Sequence, residues 1–222
     1  MYFQFLIEDQ STEVLVKHVM EKLKRKYSDK SIEFDSKSFN GIGHLSTKGN
    51  LLERKSGHLL NDLPAYLKGF DRKFENMPQA AIIVVLDNDK REYTEFKLML
   101  DQVVKESVRY TDCVVCIAVK EMEAWLLGDE RAIISAYPGA KRKYLKAYEQ
   151  DGICDTWEVL ANMLYPGGLI GLKKKSRNTY SETGRAKSEW ADKIGAMLDL
   201  ENNSSPSFRR FISVLQSRIE AA

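Results

Sequence analysis

The feature that most constrains the fold is a run of seven apolar residues, Ala80 to Leu86, which ends in Asp87 and Asp89. A strand of this composition has no polar face, so other parts of the chain must cover it on both sides. Strand-like and helix-like segments alternate through residues 1–120. This alternation predicts an α/β fold with a mainly parallel sheet flanked by helices.

The elements of this first part follow from composition and periodicity. Strands are predicted at residues 2–7, 32–39, 80–87 and 112–119. Helices are predicted at residues 11–27, 57–70 and 92–108. Ser11 or Thr12 suits the N-cap of the first helix, and Pro64 is expected near the start of the second.

After Glu121 the strand-like segments stop. Helices are predicted at residues 121–137, 140–150, 156–165, 185–200 and 205–219, with a basic loop at 171–180. No flexible linker divides the two parts of the chain. We therefore expect an α/β core at residues 1–127 and a C-terminal helical extension, residues 128–222, packed on it.

Composition excludes several classes of protein. The 222 residues are 43% hydrophobic and 30% charged, as in ordinary globular proteins. No apolar run is long enough to cross a bilayer, and the N-terminus lacks the features of a signal peptide. Three cysteines fit no disulfide framework. We expect a cytoplasmic protein that does not enter a membrane.

Carboxylates stand at or just past several predicted strand ends: Glu8, Asp87, Glu121 and Glu123. The carboxyl ends of parallel strands meet at one edge of a sheet, where grouped carboxylates repel one another unless a cation is present. Mg²⁺ and Mn²⁺ prefer such oxygen ligands. An isolated Asp-Asn-Asp is more often a turn that caps the next helix. The acidic residues after the other strands favour a metal site here.

The metal hypothesis gives each acidic residue a role. Glu8, Asp87 and Asp89 would hold one ion, and Glu121 or Glu123 could complete the cluster. Glu13 would either join a second ion or only favour the N-terminus of the first helix.

Basic residues are concentrated in one part of the chain, since residues 131–190 carry 11 Lys and Arg against 6 Asp and Glu. Such clusters can follow a phosphate backbone, although many are only solvated surface. The candidates for nucleic-acid contact are Lys90, Arg91, Lys173, Lys174, Lys175 and Arg177.

"FLIED" followed by "STE", and then "VVLDND", resemble the Toprim (topoisomerase–primase) pattern of a glutamate after strand one and Asp-x-Asp after strand three. Nearly the whole chain resembles stand-alone Toprim-like proteins of unassigned function. The further matching pieces are "FNGIGHL", "EMEAWLLGD", "AYPGAK", "TWEVLANMLYPGG", "K-S-E-W-A" and "SPSFRRF". The chain also resembles the nuclease half of the overcoming-lysogenization-defect proteins. It departs from many of these nucleases at Asp9, where they have glycine.

The resemblance implies a fold, an activity and partners. It implies that Glu8 binds metal and acts as a general base, that Asp87 and Asp89 are the ligand pair, and that Glu123 is a further catalytic residue. The expected function is a Mg²⁺- or Mn²⁺-dependent nuclease, paired with an ATPase in defence against phage. The alternative is a non-catalytic binding or regulatory subunit of an ATPase-containing complex. Nucleotide-sugar transfer is a third hypothesis, which leaves Glu8 unexplained.

Overall fold

A four-stranded, all-parallel sheet forms the centre of the computed structural model, which describes residues 1–45, 57–176 and 181–222. Its strands are β1 (Tyr2–Ile7), β2 (Glu33–Ser38), β3 (Ala80–Asp87) and β4 (Asp112–Ala118). Their order across the sheet is β2-β1-β3-β4. The predicted α/β class and parallel sheet are confirmed, in a form consistent with a Toprim-like fold.

The strand that contains the apolar run, β3, lies between β1 and β4, and all eight of its residues are buried. Ile7 is in register with Val85, and Asp87 is in register with Ala118. The three strands therefore end at nearly the same level, which brings the loops that follow them to one edge of the sheet.

Helices cover both faces. In the first half these are α1 (Gln10–Lys26), α2 (Leu59–Phe74) and α3 (Tyr93–Ser107). Two details of the sequence prediction are wrong. Asp9, not Ser11 or Thr12, is the N-cap of α1, because its Oδ1 accepts from the Thr12 amide at 2.7 Å. Pro64 lies inside α2 rather than near its start.

The second half is helical, as expected. Its helices are α4 (Glu123–Leu127), α5 (Glu130–Ala136), α6 (Lys143–Lys146), α7 (Thr156–Leu164), α8 (Gly168–Lys175), α9 (Ser181–Met197) and α10 (Pro206–Ala221). The single helix predicted at 121–137 is two helices, because Asp129 caps α5 by accepting from the Ala132 amide at 2.9 Å. The predicted basic loop is helical as far as Lys175, because Leu172 of this helix packs in the core.

The C-terminal helices share a hydrophobic core with the sheet. Helix α9 packs against α1, and α10 lies along β4, where Arg218 pairs with Asp112. One buried cluster contains Phe5 of β1 and Phe211 of α10. Among the residues whose structure is described, no helix is long and apolar enough to cross a membrane.

Trp125 joins α10 to the segment that follows β4. Its ring stacks on Phe211 at a centroid distance of 5.0 Å, and its Nε1 donates to Ser207 Oγ at 2.9 Å. Ser207 Oγ also accepts from the Val119 amide at 3.3 Å. The segments "EMEAWLLGD" and "SPSF" thus hold each other, and this anchors the chain on both sides of Glu121.

A buried carboxylate makes a second tertiary connection. Asp71 of α2 is only 4% exposed, and it accepts from the amides of Arg109, Tyr110 and Thr111, each at 2.9 Å. Burial by itself would raise the pKa of Asp71, but these three donors outweigh it and lower the pKa. The carboxylate therefore fastens the loop before β4 to α2.

We expect Asp71→Asn to destabilise the protein. One hydrogen bond to a charged group contributes roughly 1.5–3 kcal/mol, and the amide group cannot replace all three acceptor contacts. Because the folded-state pKa is lowered, this stabilisation is present at neutral pH and is lost as pH falls through the folded-state pKa. Urea unfolding of the variant and the parent from neutral to acidic pH measures both effects. Asp101→Asn, on the exposed side of α3, is the matched control; an equal effect at both positions would contradict this role of Asp71.

Candidate functional site

The direction in which the chain adds strands to the sheet reverses between β1 and β3. From β1 the chain moves outward to β2, whereas β3 and β4 extend the sheet on the opposite side of β1. The loops after β1 and β3 lead to α1 and α3, which lie on opposite faces of the sheet. In open α/β sheets, ligands bind at such a switch point, beyond the carboxyl ends of the strands. Glu8 and Asp87 stand there.

The structure brings Glu8 and Asp87 into direct contact. Glu8 Oε2 accepts from the backbone amide of Asp87 at 2.9 Å. The Glu8 amide donates to the carbonyl of Val85 at 3.0 Å, so the residue continues the β1–β3 ladder. The Glu8 carboxylate therefore lies against the backbone of Asp87, close enough for its charge to act on the Asp87 carboxyl.

Glu123, at the start of α4, is buried like Asp87, whereas Glu8 is half-buried. It is 1% exposed, and within the described parts of the chain neither of its oxygens has a well-directed hydrogen bond. The charges of Glu8, Asp9 and Glu123 all act on Asp87, and the charge of Asp9 acts on Glu8 and Glu123 as well. A group of this kind is unfavourable if every member is charged.

The pKa values of Glu8, Asp87 and Glu123 are all raised, as expected when their charged forms are unfavourable. Burial raises the pKa of Glu8 to about 8, with further contributions from the charges of Asp9 and Asp89. Burial and the charge of Glu8 also raise the pKa of Asp87 well above its usual value. For Glu123, burial raises the pKa to about 7 even though Lys187 opposes the shift. Near neutral pH the raised pKa values of Glu8 and Glu123 favour protonated carboxyls, and a cation bound beside them would favour the charged forms.

Lys187 of α9 supplies a positive charge that the sequence analysis did not assign to the site. Its Nζ lies 3.0 Å from Glu123 Oε1, and its side chain is 21% exposed. Burial would lower the pKa of Lys187, but the charges of Glu123, Asp9 and Asp87 outweigh it and raise the pKa. The available signal was "K-S-E-W-A", which begins at Lys187.

Asp89 and Arg91 lie at the rim of the site. The Asp89 side chain is 45% exposed and pairs with Arg91 at 2.9 Å. Asp89 has a φ of 48°, which turns the chain away from the strand after Asp87. The structure therefore brings Asp87 inside the carboxylate group and leaves Asp89 at its edge, where its charge still raises the pKa of Glu8.

Two predicted ligands are engaged elsewhere. Glu13 accepts from the hydroxyls of Ser36 and Ser38 at 2.6 and 2.7 Å, so it ties α1 to β2. Glu121 accepts from Thr156 Oγ1 at 2.7 Å and so anchors the first turn of α7. Glu121 remains near enough to Glu123 to raise the pKa of that residue. The structure does not bring Glu13 into the carboxylate group.

Asn88 and Asp9 position the site. Asn88 is buried, and its Oδ1 accepts from the Lys120 amide at 2.6 Å while its Nδ2 donates to the carbonyl of Arg91 at 2.9 Å. It therefore joins the loops after β3 and β4. Asp9, with a φ of −143°, needs no glycine at its position and serves as the α1 cap.

The predicted nucleic-acid contacts are dispersed. Lys90 is exposed beside the site. On α8, Lys173 pairs with Glu158 at 2.7 Å and Lys175 pairs with Glu182 at 3.0 Å, while Lys174 is exposed. Arg177 lies outside the described residues. Acidic neighbours thus offset part of the positive charge that the sequence places on this segment.

The donor chemistry of the site suits Mg²⁺ or Mn²⁺, because its side chains offer only carboxylate oxygens. Among the described residues, no three His, Cys, Asp or Glu side chains converge closely enough to hold an ion as they stand. Magnesium sites commonly use one or two carboxylates and complete their shell with water and substrate phosphate. Glu8 and Asp87 supply that number, and the oxygens of Glu123 add a third potential donor.

Comparison with known proteins identifies the family. The model described as "Domain of unknown function (DUF4276)" matches residues 7–216. The chain belongs to this family. The matched range contains Glu8, Asp87, Glu123 and Lys187. No curated protein and no solved structure matches the chain. The family description assigns no activity, so a function has to be argued from the site.

Proposed function

We propose that this protein is a Mg²⁺- or Mn²⁺-dependent phosphoesterase, and specifically a nuclease. One observation carries the proposal: at the switch point of the sheet the half-buried Glu8 carboxylate contacts the backbone of the buried Asp87, and both carboxyls have raised pKa values. A divalent cation would offset the burial and the charge repulsion that raise those pKa values. Carboxylates at this place in an open α/β sheet are otherwise a destabilising arrangement.

The surroundings of each residue indicate its role in the proposed reaction. Glu8 and Asp87 would hold the ion, with Glu123 as an additional oxygen donor. When bound, the ion would polarise a phosphodiester and lower the pKa of a water molecule. The ammonium group of Lys187 lies beside Glu123 and carries the charge needed to hold an anionic phosphate group near the carboxylates. Asn88 would keep the loops after β3 and β4 in place.

The Toprim resemblance supports the same proposal. A glutamate follows β1 and Asp-x-Asp begins at the last residue of β3, and these two strands are neighbours in a parallel sheet. By the same resemblance we propose that the protein acts in the cytoplasm as the effector of an anti-phage system that includes an ATPase.

A non-catalytic role has one specific observation in its favour. Lys187 pairs with Glu123 and Arg91 pairs with Asp89, so the protein itself neutralises part of the acidic group. A subunit that only binds nucleic acid, or that regulates an ATPase, could keep such an internal pairing permanently.

The experiment is to incubate the purified protein with labelled DNA and RNA, with Mn²⁺, Mg²⁺ or EDTA, alone and with the candidate ATPase. We expect cleavage that requires the divalent ion. Cleavage only with the ATPase would identify an effector that its partner activates. Nucleic-acid binding without cleavage under every condition would reject the nuclease proposal in favour of the non-catalytic subunit.

A further inference from the structure

A large cleft opens beside the carboxylates on the α1 side of the sheet. It has a volume of about 890 Å³, and its walls come from the start of α1, the loop after β2 and the first turns of α9. Asp9 and Lys187 belong both to its lining and to the acidic group. A ligand in the cleft would therefore reach the carboxylates along a continuous surface.

The chemistry of the lining suits a phosphate backbone. Lys187 and Arg185 are positively charged, Asp9 is the one acidic residue among the described lining residues, and neutral groups that form hydrogen bonds, such as those of Ser11, Asn40 and Ser188, occupy other parts of the walls. Arg185 is 57% exposed while Glu182 and Glu189 hold it in place. Phosphodiester groups need cations of this kind, whereas sugars and bases can use the neutral donors and acceptors.

Two glycines leave space in the cleft. At Gly41 and at Gly184, no described atom lies within 4 Å of the position that a Cβ would occupy. Gly41 has a φ of 95°, and its amide donates to the carbonyl of Glu8 at 3.0 Å. In the described parts of the chain, the backbone on both sides of the cleft is therefore open to a ligand.

The size of the cleft limits the ligand. Its volume lies within the range of roughly 300–1,000 Å³ that is typical of cavities holding one small molecule. A cleft of this volume, lined by α1, the loop after β2 and α9, has room for a few nucleotides of one strand. Single strands are bound in grooves that track the backbone and contact bases one at a time.

We propose that this cleft binds single-stranded nucleic acid and directs its phosphodiester backbone to Glu8 and Asp87. The proposal rests on the proposed function for the reaction, but binding itself can be measured without cleavage. A strand lying past Arg185 and Lys187 would bring a phosphate group to the carboxylates. DNA and RNA share this chemistry, and binding measurements with each of them separate the two.

The first test blocks the cleft with a large side chain. Gly184→Phe places a ring in the open space of α9, and Gly69→Phe, at an equally open helical position on α2, is the matched control. Fluorescence anisotropy measures the binding of labelled single-stranded DNA, single-stranded RNA and blunt duplex DNA. One series is measured in EDTA. A second series is measured with Mn²⁺, and there every protein also carries Asp87→Asn so that the nucleic acid is not cleaved. We expect single strands to bind more tightly than duplex. Gly184→Phe should weaken that binding by at least about 10-fold and Gly69→Phe should not, since displacing even one bound base has an effect on this order.

A second variant keeps the test decisive if Gly184→Phe unfolds. Arg185→Gln should weaken binding of every single strand and reduce its salt dependence by about one phosphate contact. Duplex binding as tight as single-strand binding would overturn the proposal, as would unchanged binding in both variants. Intact single-strand binding by a parent protein that cleaves nothing would reject only the nuclease proposal. If the parent cleaves nucleic acid and both variants bind single strands as tightly as the parent, only the proposed role of the cleft is rejected.

Discussion

Asp87→Asn is expected to lose divalent-dependent cleavage by at least about 100-fold, because even the residues that support metal ligands typically contribute 10–100-fold. The same variant should be more stable than the parent when no metal is present. Asparagine has nearly the shape of aspartate and retains the backbone amide that donates to Glu8, but it removes a buried charge. A loss of activity together with a gain of stability is the result expected of a site that strains the fold in order to function.

The pH dependence of that gain follows from the sign of the shift. Asp87 has a raised pKa in the folded state, so the folded protein binds more protons than the unfolded chain over the intervening pH range. The stability of the metal-free parent therefore falls as pH rises above the usual pKa of aspartate. The advantage of Asp87→Asn should increase over the same range.

Thermal unfolding with EDTA and with Mn²⁺ measures both parts of this prediction. Mn²⁺ should raise the melting temperature of the parent by mass action and leave that of Asp87→Asn nearly unchanged. Asp89→Asn is the comparison within the same motif, since its side chain is at the rim and paired with Arg91. Cleavage by Asp87→Asn at the parental rate would exclude the proposed mechanism.

The α/β fold could be predicted from the sequence because the patterns that indicate it lie within short segments of the chain. The apolar residues of β3 and the alternation of segment types predict the parallel sheet without reference to distant residues. Where neighbouring residues have similar propensities, the local signal cannot choose between them. Asp9, Ser11 and Thr12 are all good cap residues, and only the structure identifies Asp9. The three lysines of α8 are compatible with a loop or a helix, and packing of Leu172 in the core selects the helix.

Only part of the site could be predicted from the sequence, because some of its residues are brought together by contacts between distant segments. The strand ends indicate Glu8 and Asp87, because the geometry of parallel sheets relates one strand end to the next. No periodicity relates Glu8 to Lys187, which reaches the site from α9 only because that helix packs on α1. Glu13 was grouped with Glu8 by its closeness in the sequence, yet its side chain is directed to β2.

Lys187→Met is the prediction that tests whether this charge belongs to the site. Methionine fills a similar volume without the ammonium group, so the buried carboxylates lose their internal counter-charge. Removing one partner of a buried ion pair costs about 3–5 kcal/mol of stability when the other partner stays charged. Lys193→Met is the matched control on the same helix, because Lys193 pairs with Glu189 at the surface, where such a pair contributes about 0–1 kcal/mol.

The loss should depend on pH in a direction that a packing defect would not reproduce. The pKa values of Glu8 and Glu123, about 8 and about 7 with Lys187 present, should rise further without it. At acidic pH Glu8 and Glu123 are protonated and the partly buried Lys187 ammonium loses its charged partner Glu123, so Lys187→Met should be neutral or stabilising. As pH rises through the raised pKa values, the variant should become progressively less stable than the parent. Adding Glu123→Gln should restore most of the loss, because the charge left unpaired is then removed. A destabilisation that is the same at all pH values, and that Glu123→Gln does not relieve, would show that Lys187 contributes packing and not charge.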